Sequence, residues 1–169
     1  TSACMAPMQP AKPLPARHPY ARQATPHVRV VAYNVWKNSF LNDVELQERF
    51  TRLVRALNAD VWLLQEVWGK EWEVAGFFNR VLPQPRGASW HVRRAGTQVT
   101  VSRWPVKHHG WSTDMRTGWH VGLTLVDLPD ARFARDLYAV NVGMTCCGGH
   151  KNDYKRQRQA DELARWLRL

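Results

Sequence analysis

Two apolar runs joined by an amphipathic helix constrain the first third of the domain. Val28 to Val35 is apolar and β-branched, the pattern of a buried strand. Asn42 and Glu45 stand at capping-box spacing, with Asn in place of Ser or Thr. Leu46, Phe50, Leu53, Val54 and Leu57 follow at helical intervals and predict an amphipathic helix over 43–58. Asn58-Ala59-Asp60 turns the chain, and Val61 to Gln65 predicts a second short buried strand ending at Glu66. Strand, helix and strand in that order imply parallel pairing with a right-handed crossover.

Beyond Glu66 the pattern changes. Strands are expected at Trp90–Arg93, Gln98–Ser102, Val106–Ser112, His120–Val126 and Leu137–Val142. Pro83, Pro85, Gly87, Gly96, Pro105, Gly118 and Pro129-Asp130 separate them. Such short connections favour antiparallel neighbours, so the residues alone imply a mixed sheet with helices on one face. From Asn152 the period is helical again. Ala160, Leu163, Ala164 and Leu167 share one face, and Asn152 or Asp153 is the expected cap.

The 169 residues suffice for one domain, expected over 28–169. Residues 1–27 hold six prolines among Ala and Gln, which reads as an extended tether. With 44% hydrophobic and 22% charged residues, the chain is neither disordered nor collagen-like. No apolar run approaches the roughly 18 residues of a spanning helix. Thr1-Ser2-Ala3-Cys4 is similar to the end of a bacterial lipoprotein signal, without its usual Leu. An exported or lipid-tethered protein of the periplasm or cell surface is therefore expected, with a cytoplasmic one as the alternative. Cys146 and Cys147 are adjacent and are expected to be reduced and structural, because a vicinal disulfide ring is strained.

Twenty-four Lys and Arg against fourteen Asp and Glu give a net charge of +10, which favours phosphate-bearing partners. Arg86, Arg93, Arg94, Arg103 and Lys107, with Trp90 and Trp104 between them, fit a nucleic-acid backbone as well as a solvated sheet face. Trp36, Trp62, Trp68 and Trp72 read as core or pocket wall. Asn34 and Glu66 end two strands joined by one crossover, where ligands of such sheets bind. A carboxylate with a carboxamide suits Mg²⁺. By residue type alone, a turn Asn and a surface Glu remain the simpler alternative.

Four ordered blocks go further. Val28 to Trp36, with Arg49-Phe50 and Leu53 and then Asn58 to Val67, resembles the opening of the endonuclease/exonuclease/phosphatase superfamily. Thr100 to Val106 is similar to its Ser-Arg-x-Pro-Ile block, and Tyr138 to Val142 to the strand before its His-Leu pair. Arg156 and Gln159 fit the Arg-x-x-Gln of the following helix. The resemblance implies a four-layer α/β sandwich with mixed β-sheets, of which this chain supplies about the first half. It implies metal-dependent phosphoester hydrolysis. Glu66 would bind the Mg²⁺ or Mn²⁺ ion and Asn34 would help hold metal and phosphate. Arg103 and His150 are the expected substrate-binding residues. The substrate would be a phosphoester, with nucleic acid and phospholipid head groups both open.

Two departures qualify that expectation. Gly143 stands where the superfamily has its His, and glycine offers no side-chain donor; His150 is the nearest substitute. The Gly-Asp-x-Asn and Ser-Asp-His blocks, carrying the water-activating Asp and the last His, match nothing in residues 1–169. The chain is thus expected to be weakly active alone and to need the C-terminal half of the same domain. The rival expectation is a non-catalytic phosphate- or nucleic-acid-binding protein built on the same fold.

Overall fold

The computed structural model describes residues 27–111 and 121–168. Cys4 and most of the expected tether lie outside the described residues, as do the expected strand ends at Ser112 and His120. The described elements run β1 (Val30–Asn34), α1 (Ser39–Asn42), α2 (Val44–Leu57), β2 (Val61–Gln65), α3 (Glu71–Val81), β3 (His91–Ala95), β4 (Gln98–Ser102), β5 (Val106–Trp111), β6 (Val121–Val126), β7 (Leu137–Val142) and α4 (His150–Trp166). No helix among the described residues is long and apolar enough to cross a membrane.

The strands form two sheets rather than the single mixed sheet that turn chemistry alone implies. One has the order β1-β2-β4-β3 and the other β5-β6-β7. β1 and β2 pair in parallel, as the helix between them requires, and all other pairs are antiparallel. Helices cover both outer faces, not one. Phe50 and Val54 of α2 and Val74, Phe77 and Phe78 of α3 bury against Trp62, Leu64, Val99 and Val101 of the larger sheet. Leu163 and Trp166 of α4 pack on Val121, Leu123, Val140 and Val142 of the smaller sheet. The four layers of the expected α/β sandwich are thus all present among the described residues.

The larger core is aromatic. Phe40 lies 4.9 Å from Phe50 and 5.0 Å from Phe77, and Phe78 lies 5.4 Å from Trp90. Each such ring, fully buried, contributes roughly 1.5–3 kcal/mol. The facing sheet surfaces differ in character. Thr124 Oγ1 donates to Thr100 Oγ1 across 3.1 Å, and Asn141 Nδ2 donates to the carbonyls of Leu64 (3.0 Å) and Val99 (3.2 Å). The sheets are joined by satisfied buried polar groups that fix their alignment.

Several boundaries shift for local reasons. The first strand is not buried: β1 is an edge strand, with Val30 and Tyr33 43% and 42% exposed. Asp43, not Asn42, caps α2, accepting from the N–H of Leu46 at 3.0 Å, because Asn42 ends the unanticipated turn α1. Gly149 precedes α4, so the helix begins two residues before the expected Asn152 cap. Trp90 leaves the third strand: its N–H donates to Asn79 Oδ1 and its indole to the Leu82 carbonyl, which ties it to α3.

Candidate active site

Parallel pairing in register puts Asn34 opposite Gln65, so Asn34 and Glu66 emerge together at the strand ends. Asn34 Nδ2 donates to Glu66 Oε1 across 2.8 Å. The N–H of Trp36 donates to Asn34 Oδ1, also at 2.8 Å. Both ends of the carboxamide are engaged, which sets its flip and aims its donor at the carboxylate.

Left-handed backbone builds this corner. Trp36, Lys37 and Asn38 have φ of 40°, 53° and 66°, and Glu66 has φ of 59°. Non-glycine residues pay about 1 kcal/mol or more each in that region, so their surroundings must hold them there. The N–H of Asn38 donates to the Glu66 carbonyl at 3.1 Å, and the N–H of Val67 to the Thr97 carbonyl at 2.9 Å. Gly69 permits the approach: a Cβ there would stand 2.8 Å from Leu41 Cδ1.

A buried network runs beneath the pair. Gln65 Nε2 donates to Asn141 Oδ1 at 2.7 Å, which links β2 to β7 next to the site. The loop after β7 is held by α4. Arg156 Nη1 donates to the carbonyls of Thr145 (3.0 Å) and Cys147 (2.7 Å), and the N–H of Thr145 donates to Gln159 Oε1 (3.0 Å). The Arg-x-x-Gln block is therefore a clamp on this loop. The loop reaches the site electrostatically. The Cys147 thiol is pushed up chiefly by its hydrogen bond with Cys146, with the Glu66 carboxylate adding to the rise and Arg156 opposing it.

Arg103 is not brought to this corner. Its Nε lies 3.1 Å from Asp60 Oδ1, its guanidinium sits 4.7 Å over the Trp90 ring, and Nη2 donates to Asn58 Oδ1. Asp60 precedes β2 whereas Glu66 follows it, so Arg103 stands at the opposite end of the sheet, roughly 17 Å away at strand rise. His150 is exposed in the first turn of α4, and no hydrogen bond joins it to Asn34 or Glu66 among the described residues. The basic patch is largely committed as well. Lys107 pairs with Asp127 and Asp136, Arg94 donates to the carbonyls of Gly69 and Gly96, and Trp90 is buried. Trp36, Trp68 and Trp72 are 65%, 62% and 67% exposed, so none is core; Trp36 and Trp72 each form part of a cavity wall, and Trp62 is buried in the core. Trp36 and Trp68 each lie two residues past a site residue, in the loops leaving the strand ends.

Two further residues belong here, Asn141 from the block Tyr138 to Val142 and Gln98, which carries no signal. Asn141 is buried and joins the sheets, although a polar residue inside an apolar strand resembles a surface position. Gln98 faces Gly143: a Cβ built there would stand 2.4 Å from Gln98 Nε2. The carboxamide of Gln98 fills the space into which a side chain at 143 would project.

The donor set fits a weakly held hard cation. Glu66 Oε2 carries no hydrogen bond among the described residues, and no cluster of three or more His, Cys, Asp or Glu there is suited to a metal. One carboxylate oxygen, supplemented by water and substrate phosphate, is a coordination Mg²⁺ accepts. No curated protein and no solved structure matches the chain. The profile of the Endonuclease/Exonuclease/phosphatase family matches residues 31–169, from within β1 through α4. The chain belongs to that family, whose members are hydrolases, and the paired ends of β1 and β2 lie within the matched region.

Proposed function

We propose that the corner formed by Asn34 and Glu66 is the cation- and phosphate-binding part of a Mg²⁺- or Mn²⁺-dependent phosphodiesterase. The observation that carries this reading is the 2.8 Å bond from Asn34 Nδ2 to Glu66 Oε1 at the ends of two parallel strands. Asn34 holds one carboxylate oxygen and leaves Oε2 for the cation. Supporting partners that orient a ligating carboxylate typically matter 10–100-fold to metal affinity. When bound, the cation would neutralise charge developing on the phosphoryl oxygens.

The chain's own residues do the rest of the positioning. Gln65 and Asn141 lock the strand beneath Glu66, and Arg156 fixes the loop that follows β7. A cavity of about 480 Å³ adjoins Asn34, with Trp36, Leu46, Arg49, Phe50 and Leu53 in its wall. An apolar wall with one guanidinium suits the organic part of a phosphodiester, a nucleobase or a lipid chain, next to its phosphate. Among the described residues no Asp or His is hydrogen-bonded to the pair as a general base. Such a base is worth about 10²–10⁴-fold in rate, so the 169-residue chain should turn over slowly.

The test is metal-dependent hydrolysis of bis-p-nitrophenyl phosphate by the 169-residue chain and by the product of its complete reading frame. The reading expects turnover by the latter that Glu66→Ala abolishes, and near-background rates for the former. Failure of the complete product to hydrolyse any phosphodiester, with phosphate binding intact, would establish the non-catalytic binding protein instead.

A further inference from the structure

The loop clamped by Arg156 follows β7 and carries two adjacent thiols. Cys146 and Cys147 are both free and exposed. Their sulfurs stand 2.7 Å apart, closer than two unbonded sulfur atoms rest at van der Waals contact. Cys147 has φ of 73° and Gly149 has φ of 99°, so this backbone is already in the left-handed region. The loop does not adopt that shape alone. Arg156 holds the carbonyls on either side of Cys146, those of Thr145 and Cys147, and Gln159 holds the Thr145 N–H.

We propose that Cys146 and Cys147 form a reversible dithiol–disulfide site, closed by exchange with a small disulfide such as glutathione disulfide. The chemistry balances without a further oxidant. One thiolate attacks the glutathione disulfide, and a glutathione thiolate leaves. The neighbouring sulfur then attacks the mixed disulfide and displaces the second glutathione. Both cysteine protons end on the two released thiols, the cysteine pair is oxidised, and one glutathione disulfide is reduced to two glutathiones. The folded loop favours the second step because it holds the attacking sulfur against its target. Adjacent residues lie about 3.8 Å apart at Cα, below the usual 4.4–6.8 Å of a disulfide. The closed form is therefore strained and easily reduced, as labile regulatory disulfides are. Placement gives it consequence, since the thiols sit on the loop that follows Asn141, which is bonded to Gln65 next to Glu66. The site stands on the loop geometry and does not require Glu66 to hold a metal.

The experiment equilibrates the folded 169-residue chain, carrying Cys4→Ser, with glutathione buffers of increasing oxidant and reads the intact mass. The expected product is two hydrogens lighter, carries no glutathione, maps to the peptide holding both cysteines, and reverts with dithiothreitol. Cys146→Ser should give a stable glutathione adduct on Cys147 instead. In urea the midpoint should move by about tenfold or more toward higher glutathione disulfide, because the clamp is gone. Glutathione adducts on both thiols of the folded chain, disulfide-linked dimers, or an unchanged midpoint in urea would each overturn the proposal.

Discussion

Asn34 donates its side-chain amide to Glu66 Oε1 across 2.8 Å, although 32 positions separate the two residues. The bond exists because β1 and β2 are parallel neighbours, in register up to the pair Asn34–Gln65. Asn34 is exposed, so its loss should act on the carboxylate rather than on the core. Asn34→Ala is expected to weaken Mn²⁺ binding roughly tenfold, with the melting temperature little changed. Calorimetric titration beside a thermal melt separates the two effects.

Gly143 and Gln98 should behave as a coupled pair. A Cβ at 143 would stand 2.4 Å from Gln98 Nε2, the end of a side chain in a buried position. Restoring the superfamily's histidine by Gly143→His therefore forces the Gln98 amide out of its place. A cost of about 1–3 kcal/mol is expected, the usual range for overpacking. Adding Gln98→Ala should recover part of it, which a double-mutant cycle in urea measures. Only in that double variant should the new imidazole help hydrolysis.

Arg103 should prove structural. Its partner Asp60 is 4% exposed and the Arg103 side chain 16%. Asp60 also accepts from the N–H of Arg29 at 3.0 Å, so the ion pair anchors the entry to β1. Removing one member of a buried pair strands the other, at about 3–5 kcal/mol. Arg103→Ala should lower the urea midpoint accordingly and leave Mn²⁺ affinity at the Asn34–Glu66 corner unchanged. A normal melt with lost phosphate binding would contradict this.

His91 gives the fold an acid-sensitive component. Burial, and then the neighbouring Arg93 cation, holds its imidazole below the ordinary histidine value. As pH falls, the unfolded chain takes up the proton first. The His91 contribution is thus complete above the unfolded value of about 6.5 and is lost as pH falls through it toward the lower folded value. His91→Gln should flatten the fall in melting temperature between about pH 7.5 and about pH 5.5. A steeper fall in the variant would contradict this sign.

The sequence was legible where period and order agree. Val61–Gln65, Gln98–Ser102 and Leu137–Val142 are strands with the expected bounds, and α2 between β1 and β2 enforces the parallel pairing of those two. α3 was not anticipated, although Val74, Phe77, Phe78 and Val81 are buried at helical spacing, because Gly76 interrupts the pattern and the segment is short. The division into two sheets was also hidden from local pattern. Turns fix which strands are antiparallel, whereas Thr100–Thr124 and the contacts of Asn141 decide which faces meet. That Asn34 and Glu66 meet follows from their strand-end positions, whereas their assignment to a cation rests on the family resemblance. The Arg103 block looks the same whether its guanidinium faces a substrate or Asp60, the partner it has here. Trp36 and Trp68 are exposed rather than core, because an apolar residue beside a strand has the same pattern in either place.

The most direct test of the account is an Mn²⁺ titration of the 169-residue chain, followed by water-proton relaxation, in wild type and Glu66→Gln. The substitution keeps the side chain's shape and leaves Asn34 an oxygen to donate to, and removes only the charge that a hard cation needs. The account predicts weak, saturable binding by wild type and at least about tenfold weaker binding by Glu66→Gln, with equal melting temperatures. Equal Mn²⁺ binding by both proteins would contradict it and remove Glu66 from the site.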